Sequence, residues 1–421
     1  MPSSTFADHP ATFKFSTTNG LTITPKGGDA ATELSLEDLI CVVPSYDQNS
    51  YTLCYLARND SNNPETLMTS PISNPPKPLL DQFLISKLPA HLTNPPTVLV
   101  SSASGSNDAE SYYNNFVSPL LSALYDTHDL GPPSPIHTTS ATTISDTVRD
   151  LSKNSEQQTV LLLAGDTAIT EAINAAKDHV TLAIFPLGTG NALSTSYHSI
   201  KGHPLVAPLK ALLHGNAKPL PTFSVSFSEG AKWSNGKPAE PTTGAIVVSW
   251  GVHAAVVADA EELRATIKSR ERFGVAFQEI AKEMHNFLGQ VSIRVDGEWK
   301  QVGSGEHFYV LATMCAELEP KFRISPDSRP GEKKMRLIYF RVETPEEVGG
   351  MMLKAFDGGK HLDDERVRYE AVEGIRIEVQ EKEERYRRVC IDGGIVTLPE
   401  NGWVEAVVND KDEGVKLVWC E

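Results

Sequence analysis

From Thr97 to Asn191 short, uninterrupted apolar runs alternate with helix-compatible segments, and this pattern constrains the fold more than any other feature of the chain. Thr97–Ser101, Pro135–Thr139, Thr159–Ala164 and Val180–Phe185 have the length and composition of strands. Between them lie Asp108–Tyr125, with Tyr112, Phe116, Leu120 and Leu124 four apart, and Thr143–Leu151, with Ile144, Val148 and Leu151 on one face. A further helix is expected to run through Ala176. Strands separated by helices predict a mostly parallel sheet with right-handed crossovers. Strands that are apolar throughout, rather than at alternate positions, predict a sheet covered on both faces.

The flanks have another texture. Residues 1–78 show short β-like runs (Thr12–Ser16, Leu21–Thr24, Ile40–Pro44, Tyr51–Ala57) separated by turn residues such as Lys26-Gly27-Gly28-Asp29. Four prolines in Pro71–Pro78 predict an extended linker, and Leu79–Leu88 a short helix. After Pro219 strand candidates dominate again, interrupted by one helix expected over Ala260–Leu288 and a surface loop over Gly230–Thr243. A chain of 421 residues exceeds one ordinary domain. The expected organisation is a β-rich N-terminal extension with its linker (1–78), an α/β nucleotide-binding domain (92–219) and a β-sandwich (220–421).

Net charge restricts the partners. With 54 acidic and 38 basic side chains the chain carries −16, which argues against a broad grip on nucleic acid or on an anionic membrane. No run of 18 apolar residues predicts a spanning helix, and Met1–Pro10 lacks the charge and apolar core of a secretory signal. Five widely spaced cysteines without a Cys-x-x-Cys pair read as reduced thiols, which places the expected location in the cytoplasm. The 12 histidines show no pair at metal-ligand spacing, so no metal ligand is assigned, and no Gly-x-Ser-x-Gly elbow appears.

Two expected strands end in glycine-bearing turns that open helices: Ala164-Gly165-Asp166-Thr167 and Pro186-Leu187-Gly188-Thr189-Gly190-Asn191. Open α/β sheets bind ligands at this edge. Glycine lets backbone N–H groups approach phosphate oxygens, and a helix N-terminus favours negative charge. Neither turn has the spacing of a P-loop or of the dinucleotide fingerprint. Each alone is equally compatible with a tight strand–helix connection; two in one sheet favour a phosphate site. Arg264, Lys268 and Arg272, spaced four apart, are expected to share one helix face, either as a phosphate clamp or as a solvated face paired with Glu261, Glu262 and Glu271.

The ordered series of motifs resembles the diacylglycerol kinase catalytic domain family, including sphingosine and ceramide kinases. Ala164-Gly165-Asp166-Thr167-Ala168-Ile169-Thr170-Glu171-Ala172-Ile173-Asn174 resembles its GGDGTxxExxN motif, and Pro186–Ala192 its PLGTGN motif. Val100–Gly105, with Ser104 and Gly105, stands where the family has its first nucleotide loop, and Thr138 where it has a nucleotide-contacting threonine. Ser249-Trp250-Gly251-Val252, Arg264 and Arg272-Phe273 are similar to the corresponding sphingosine and ceramide kinase region. Asp392-Gly393 resembles the start of the late DGE motif. The N-terminal strands resemble, more weakly, a PH-like extension.

The resemblance implies an α/β fold of the NAD kinase/diacylglycerol kinase type: a Rossmann-like parallel domain, then a lipid-binding β-sandwich. It also implies ATP with Mg²⁺, a lipid hydroxyl as acceptor, and peripheral contact with intracellular membranes. Asp166 would be a general base or metal-linked carboxylate. Glu171 would reach the nucleotide, Gly165, Gly188, Thr189, Gly190 and Asn191 would hold phosphate or ribose, and Arg264 and Arg272 would neutralise phosphate charge. The chain departs from the pattern at Thr167 and Ala168, which replace the glycine and threonine after the aspartate, at Ser101-Ser102 and at Gly394, which replaces the glutamate of DGE. Val257 and Ala255 stand where sphingosine kinases have acidic residues, and His253 shares that region. Two readings stay open, an active lipid kinase and an impaired pseudo-kinase that binds nucleotide or lipid. An NAD kinase-type enzyme is a more distant third.

Overall fold

The computed structural model describes residues 11–25, 31–45, 49–58, 65–102, 105, 108–126, 130–154, 156–177, 179–198, 203–267, 269–411 and 414–420. The expected parallel sheet forms. Strands β1 (Thr97–Val100), β2 (Pro135–His137), β3 (Gln158–Ala164) and β4 (Val180–Pro186) lie in the order β4-β3-β1-β2, all parallel. The apolar runs of β1, β3 and β4 are buried because helices cover both faces, whereas the edge strand β2 stays largely exposed, with Ile136 at 40%. Leu162 and Ile184 face Ile169 and Leu193 on one side, while Leu163 and Phe185 join Tyr112, Phe116 and Leu209 on the other. Helix α1 (Asp166–Ala175) leaves β3, and α2 (Ala192–Tyr197) follows β4.

Beyond β4 the sheet gains a strand from the far end of the chain. Lys416–Trp419 pairs parallel with β4 and antiparallel with Asn216–Pro219. The boundary at 220 therefore needs a correction: the chain returns to the first domain at its last strand, where Leu417 and Val418 are buried and extend the apolar sheet. Three consecutive apolar residues in a four-residue strand carry no information about which sheet it joins.

Residues 223–408 build two facing antiparallel sheets, one of six strands and one of seven. Here burial alternates along strands such as Phe287–Val295 and Trp403–Val408, as two-sheet packing requires. The helix expected over Ala260–Leu288 is instead α3 (Val252–Glu262), a 3₁₀ turn at Leu263–Ala265, and α4 (Glu271–Glu283). The Leu263 carbonyl accepts from the Thr266 and Ile267 N–H groups at 3.0 and 2.8 Å, so the chain stays turned to Ile267 before α4 starts at Glu271. The region expected as a loop over Gly230–Thr243 contributes two short strands, Lys232–Trp233 and Thr242–Gly244.

The N-terminal extension is β-rich. It has two three-stranded antiparallel sheets, Ala11–Ser16/Gly20–Pro25/Thr32–Leu34 and Leu39–Pro44/Ser50–Ala57/Thr66–Ser73. Pro71, expected in a linker, lies in the edge strand Thr66–Ser73, a position that tolerates a missing N–H. Pro78 sits in the first turn of helix Lys77–Phe83. The turn at Lys26–Asp29 lies outside the described residues. Among the described residues no helix is long and apolar enough to cross a membrane.

Candidate active site

Three turns leave the C-terminal edge of the parallel sheet and meet backbone to backbone. A Cβ on Gly188 would stand 2.2 Å from the Gly165 Cα, and one on Gly165 2.8 Å from the Gly188 Cα. Gly105, at φ +53°, would place a Cβ 2.5 Å from the Leu187 oxygen. These glycines are required by the approach of the β1, β3 and β4 turns to one another. Asn191 closes the β4 turn, accepting from the Gly188 N–H at 3.0 Å and donating to the Gly188 oxygen at 2.7 Å. Thr138 ties β2 to the first turn: its hydroxyl accepts from the Ser102 N–H at 2.9 Å, and its carbonyl accepts from the Ser102 hydroxyl at 2.6 Å. Ser104 lies outside the described residues.

Asp166 stands at the meeting point. Its carboxylate accepts from the backbone N–H groups of Ala192 at 2.7 Å and Leu193 at 3.3 Å, so it caps α2 across the sheet edge. Its own N–H donates to the Gly190 oxygen at 3.2 Å. Burial pushes its carboxyl up to about 7 against the two N–H bonds, with the Asp392 charge adding to the rise. The residue as a whole keeps partial exposure, so the carboxyl is enclosed while the turn remains reachable. Near it the N–H groups of Thr189 and Gly190 and the hydroxyls of Thr167 and Thr189 make no hydrogen bond among the described residues.

Glu171 follows on α1. Five residues carry it about 140° round the helix from Asp166. It is half-buried, burial raises its carboxyl, and it has no partner among the described residues.

Asp392 and Gly393 form the two-residue turn of a hairpin between Arg388–Ile391 and Gly394–Thr397, with φ +48° and +86°. The Asp392 carboxylate is buried and accepts from four donors: the Ala245, Ile246 and Val247 N–H groups at 2.7, 3.0 and 2.8 Å and the Thr170 hydroxyl at 3.1 Å. Gly393 lies against Thr167, whose hydroxyl would be 3.6 Å from an added Cβ. Asn174 makes a parallel link. Its side-chain oxygen accepts from the Thr243 N–H and the Thr242 hydroxyl, and its amide donates to the Thr243 carbonyl. The late aspartate and the end of the Asp166 motif thus fasten α1 to the β-sandwich.

The arginines lie at the junction of α3 and α4. Arg264 lies exposed in the 3₁₀ turn and pairs with Glu261 at 2.9 Å, and Arg272 is buried in the first turn of α4. They do not share the continuous helix face expected from their spacing, and Lys268 lies outside the described residues. Burial lowers the Arg272 pKa, as does the nearby Arg264 charge, so the two remain neighbours.

Spacing in sequence did not reveal Cys315. It is buried within the electrostatic reach of Asp166 and begins a segment tied to α2, where the Ser196 hydroxyl bonds the Glu317 carbonyl and N–H at 3.3 Å. No local pattern marks a cysteine brought there by a strand 150 residues away.

The glycine turns of the parallel sheet thus close on one aspartate, in an α/β domain joined to a β-sandwich. Residues 95–225 match the family model of the diacylglycerol kinase catalytic domain. A "putative diacylglycerol kinase" of known structure from Bacillus anthracis str. Sterne is similar over 77% of this chain and 97% of its own, at 17% identity and a TM-score of 0.51. A second structure of that description and organism has 14% identity, the same coverages and a TM-score of 0.50. At these identities the likeness shows a shared fold. No curated protein matches the chain. The matched domain supports a kinase acting on a lipid or small molecule.

Proposed function

We propose that the chain is an ATP- and Mg²⁺-dependent lipid kinase that phosphorylates a hydroxyl of a sphingoid, ceramide or diacylglycerol-type lipid. The observation that carries this reading is Asp166: a carboxyl raised to about 7, set where three glycine turns converge beside uncommitted N–H and hydroxyl donors. Those donors suit the phosphate oxygens of a nucleotide. Among the described residues no group of three or more His, Cys, Asp or Glu side chains could hold a metal ion. Magnesium that arrives coordinated by nucleotide phosphates and water needs no such group, which leaves the Asp166 carboxylate for the proton. Asp392 does not fit this task, because its oxygens already serve four donors.

Bound ATP–Mg²⁺ would supply the phosphoryl group and neutralise its charge. Thr189 and Gly190 would orient the phosphates through their N–H groups. Asp166, with a pKa close to working pH, would take the proton of the lipid hydroxyl as that oxygen attacks the γ-phosphorus and the bond from that phosphorus to the departing ADP breaks. The two N–H bonds from α2 fix the carboxylate and leave it further lone pairs for this proton. The β-sandwich would receive the lipid. Such an enzyme would work in the cytoplasm, peripheral to its membrane.

A pseudo-kinase is the second reading. It is favoured by the same capping bonds, which already engage Asp166, and by Gly394 in place of the late glutamate. Labelled ATP with a panel of extracted lipids separates the two. Lipid-phosphate product that disappears in Asp166→Asn supports the kinase. Thermal stabilisation by ATP without product supports the pseudo-kinase.

A further inference from the structure

Helix α5 (Pro345–Phe356) docks through Val348, Met351 and Ala355, all buried, and turns its other side outward. Leu353 is 71% exposed and Phe356 46%, the two most exposed large apolar residues among those described. Phe356 packs on Phe322 with ring centroids 4.8 Å apart. Scattered exposed apolar residues are ordinary, but adjacent large ones on one helix end are not. Beside them Lys321 and Arg323 are exposed and make no ion pair among the described residues. Two uncommitted cations next to an apolar tip run against the net charge of −16.

The patch is linked by one chain segment to α2, the helix that Asp166 caps. The segment that starts at Cys315, near Asp166, bonds α2 through Glu317, then passes to Phe322. It joins α5 where the Arg323 N–H donates to the Ala355 carbonyl at 3.1 Å. One short stretch of chain therefore leads from α2 to the exposed end of α5.

We infer that the outer face of α5, with the Phe322 segment, is a docking surface for an anionic lipid bilayer. Leu353 and Phe356 enter the headgroup boundary and Lys321 and Arg323 meet the lipid phosphates and carboxylates. The inference deepens the lipid-kinase reading and rests on it for why such a surface adjoins the site.

Co-sedimentation of the full chain with phosphatidylcholine vesicles, with and without phosphatidylserine, tests it without ATP or turnover. The chain is expected to sediment with the phosphatidylserine vesicles. Leu353→Glu should weaken binding by about tenfold or more, the equivalent of roughly one buried leucine side chain. Leu353→Trp should strengthen it, and the double change Lys321→Glu, Arg323→Glu should remove the preference for phosphatidylserine. Leu353 touches no core, so circular dichroism should show all Leu353 variants folded. Wild-type binding by Leu353→Glu, or no sedimentation of the wild type, overturns the inference. So does a fall in molar mass of Leu353→Glu by light scattering with unchanged vesicle binding, which would assign the patch to a second copy. Vesicle binding without lipid phosphate rejects the kinase and keeps the surface; phosphorylation of detergent-dispersed lipid without vesicle binding does the reverse.

Discussion

Asp166 holds its proton more tightly than a free carboxylic acid because the turns around it exclude water. Its pKa in the fold, about 7, lies above its ordinary 3.8. The stabilising contribution of the neutral group is thus complete below about pH 4 and is lost as pH rises through about 7. Asn at this position has no charge to bury. The difference in melting temperature, Asp166→Asn minus wild type, should accordingly be more positive at pH 8 than at pH 5. Turnover has the opposite demand, since a base must be ionised. The rate should fall as pH drops below about 7, and Asp166→Asn should abolish transfer across the range; full turnover by the variant would remove Asp166 from the chemistry. The glycines make a second residue-scale prediction. Gly188→Ala forces a Cβ to 2.2 Å from the Gly165 Cα. It should lower stability in denaturant by about 1–3 kcal/mol or more and weaken ATP binding, because the turns must part.

At the scale of elements, α1 connects the two lobes. Thr170 on α1 meets Asp392 in the hairpin turn, and Asn174 meets Thr242 and Thr243. Asp392→Ala would leave three N–H groups of 245–247 without acceptors. At about 1–3 kcal/mol for each buried unsatisfied group, the expected loss is roughly 3 kcal/mol or more by chemical denaturation. Asn174→Ala breaks more exposed bonds and should cost about 1 kcal/mol. Both changes are expected to widen the response of the lobes to proteolysis near Thr242. A rise in ATP affinity with unchanged stability after Asp392→Ala would contradict the fastening role.

For the whole molecule, the N-terminal extension is part of the same body. Ile40, Cys41, Val43, Cys54, Leu56 and Leu67 share one apolar cluster with Tyr112, Phe116, Leu120 and Leu163. Lys210 adds bonds to the Leu36 and Glu37 carbonyls at 3.3 and 3.1 Å. A chain beginning at residue 94 would expose this cluster. It should melt well below the full chain and bind a hydrophobic dye; an unchanged melting temperature would show the extension to be an independent module. The −16 charge is likewise uneven. Residues 151–330 hold 17 basic and 18 acidic side chains, so the segment with the glycine turns is close to neutral and can accept an anionic nucleotide.

Local pattern decided a large part of this. Three of the parallel strands, β1, β3 and β4, were legible because full burial demands uninterrupted apolar runs, and Thr143–Leu151 because its apolar face repeats at helical spacing. The two glycine turns and Asp166 were legible because special backbone geometry needs particular residues at particular places. What the sequence left open depends on which distant segments meet. Nothing local sends Lys416–Trp419 into the first domain's sheet. Nothing local turns Asp392 from a motif residue into the acceptor of four donors, or brings Cys315 to Asp166. The spacing of Arg264 and Arg272 promised one helix, and the fold splits that run into a 3₁₀ turn and a new helix from Glu271. Periodicity reports a residue's nearest turns of chain; tertiary packing sets its burial, its partners and hence its charge.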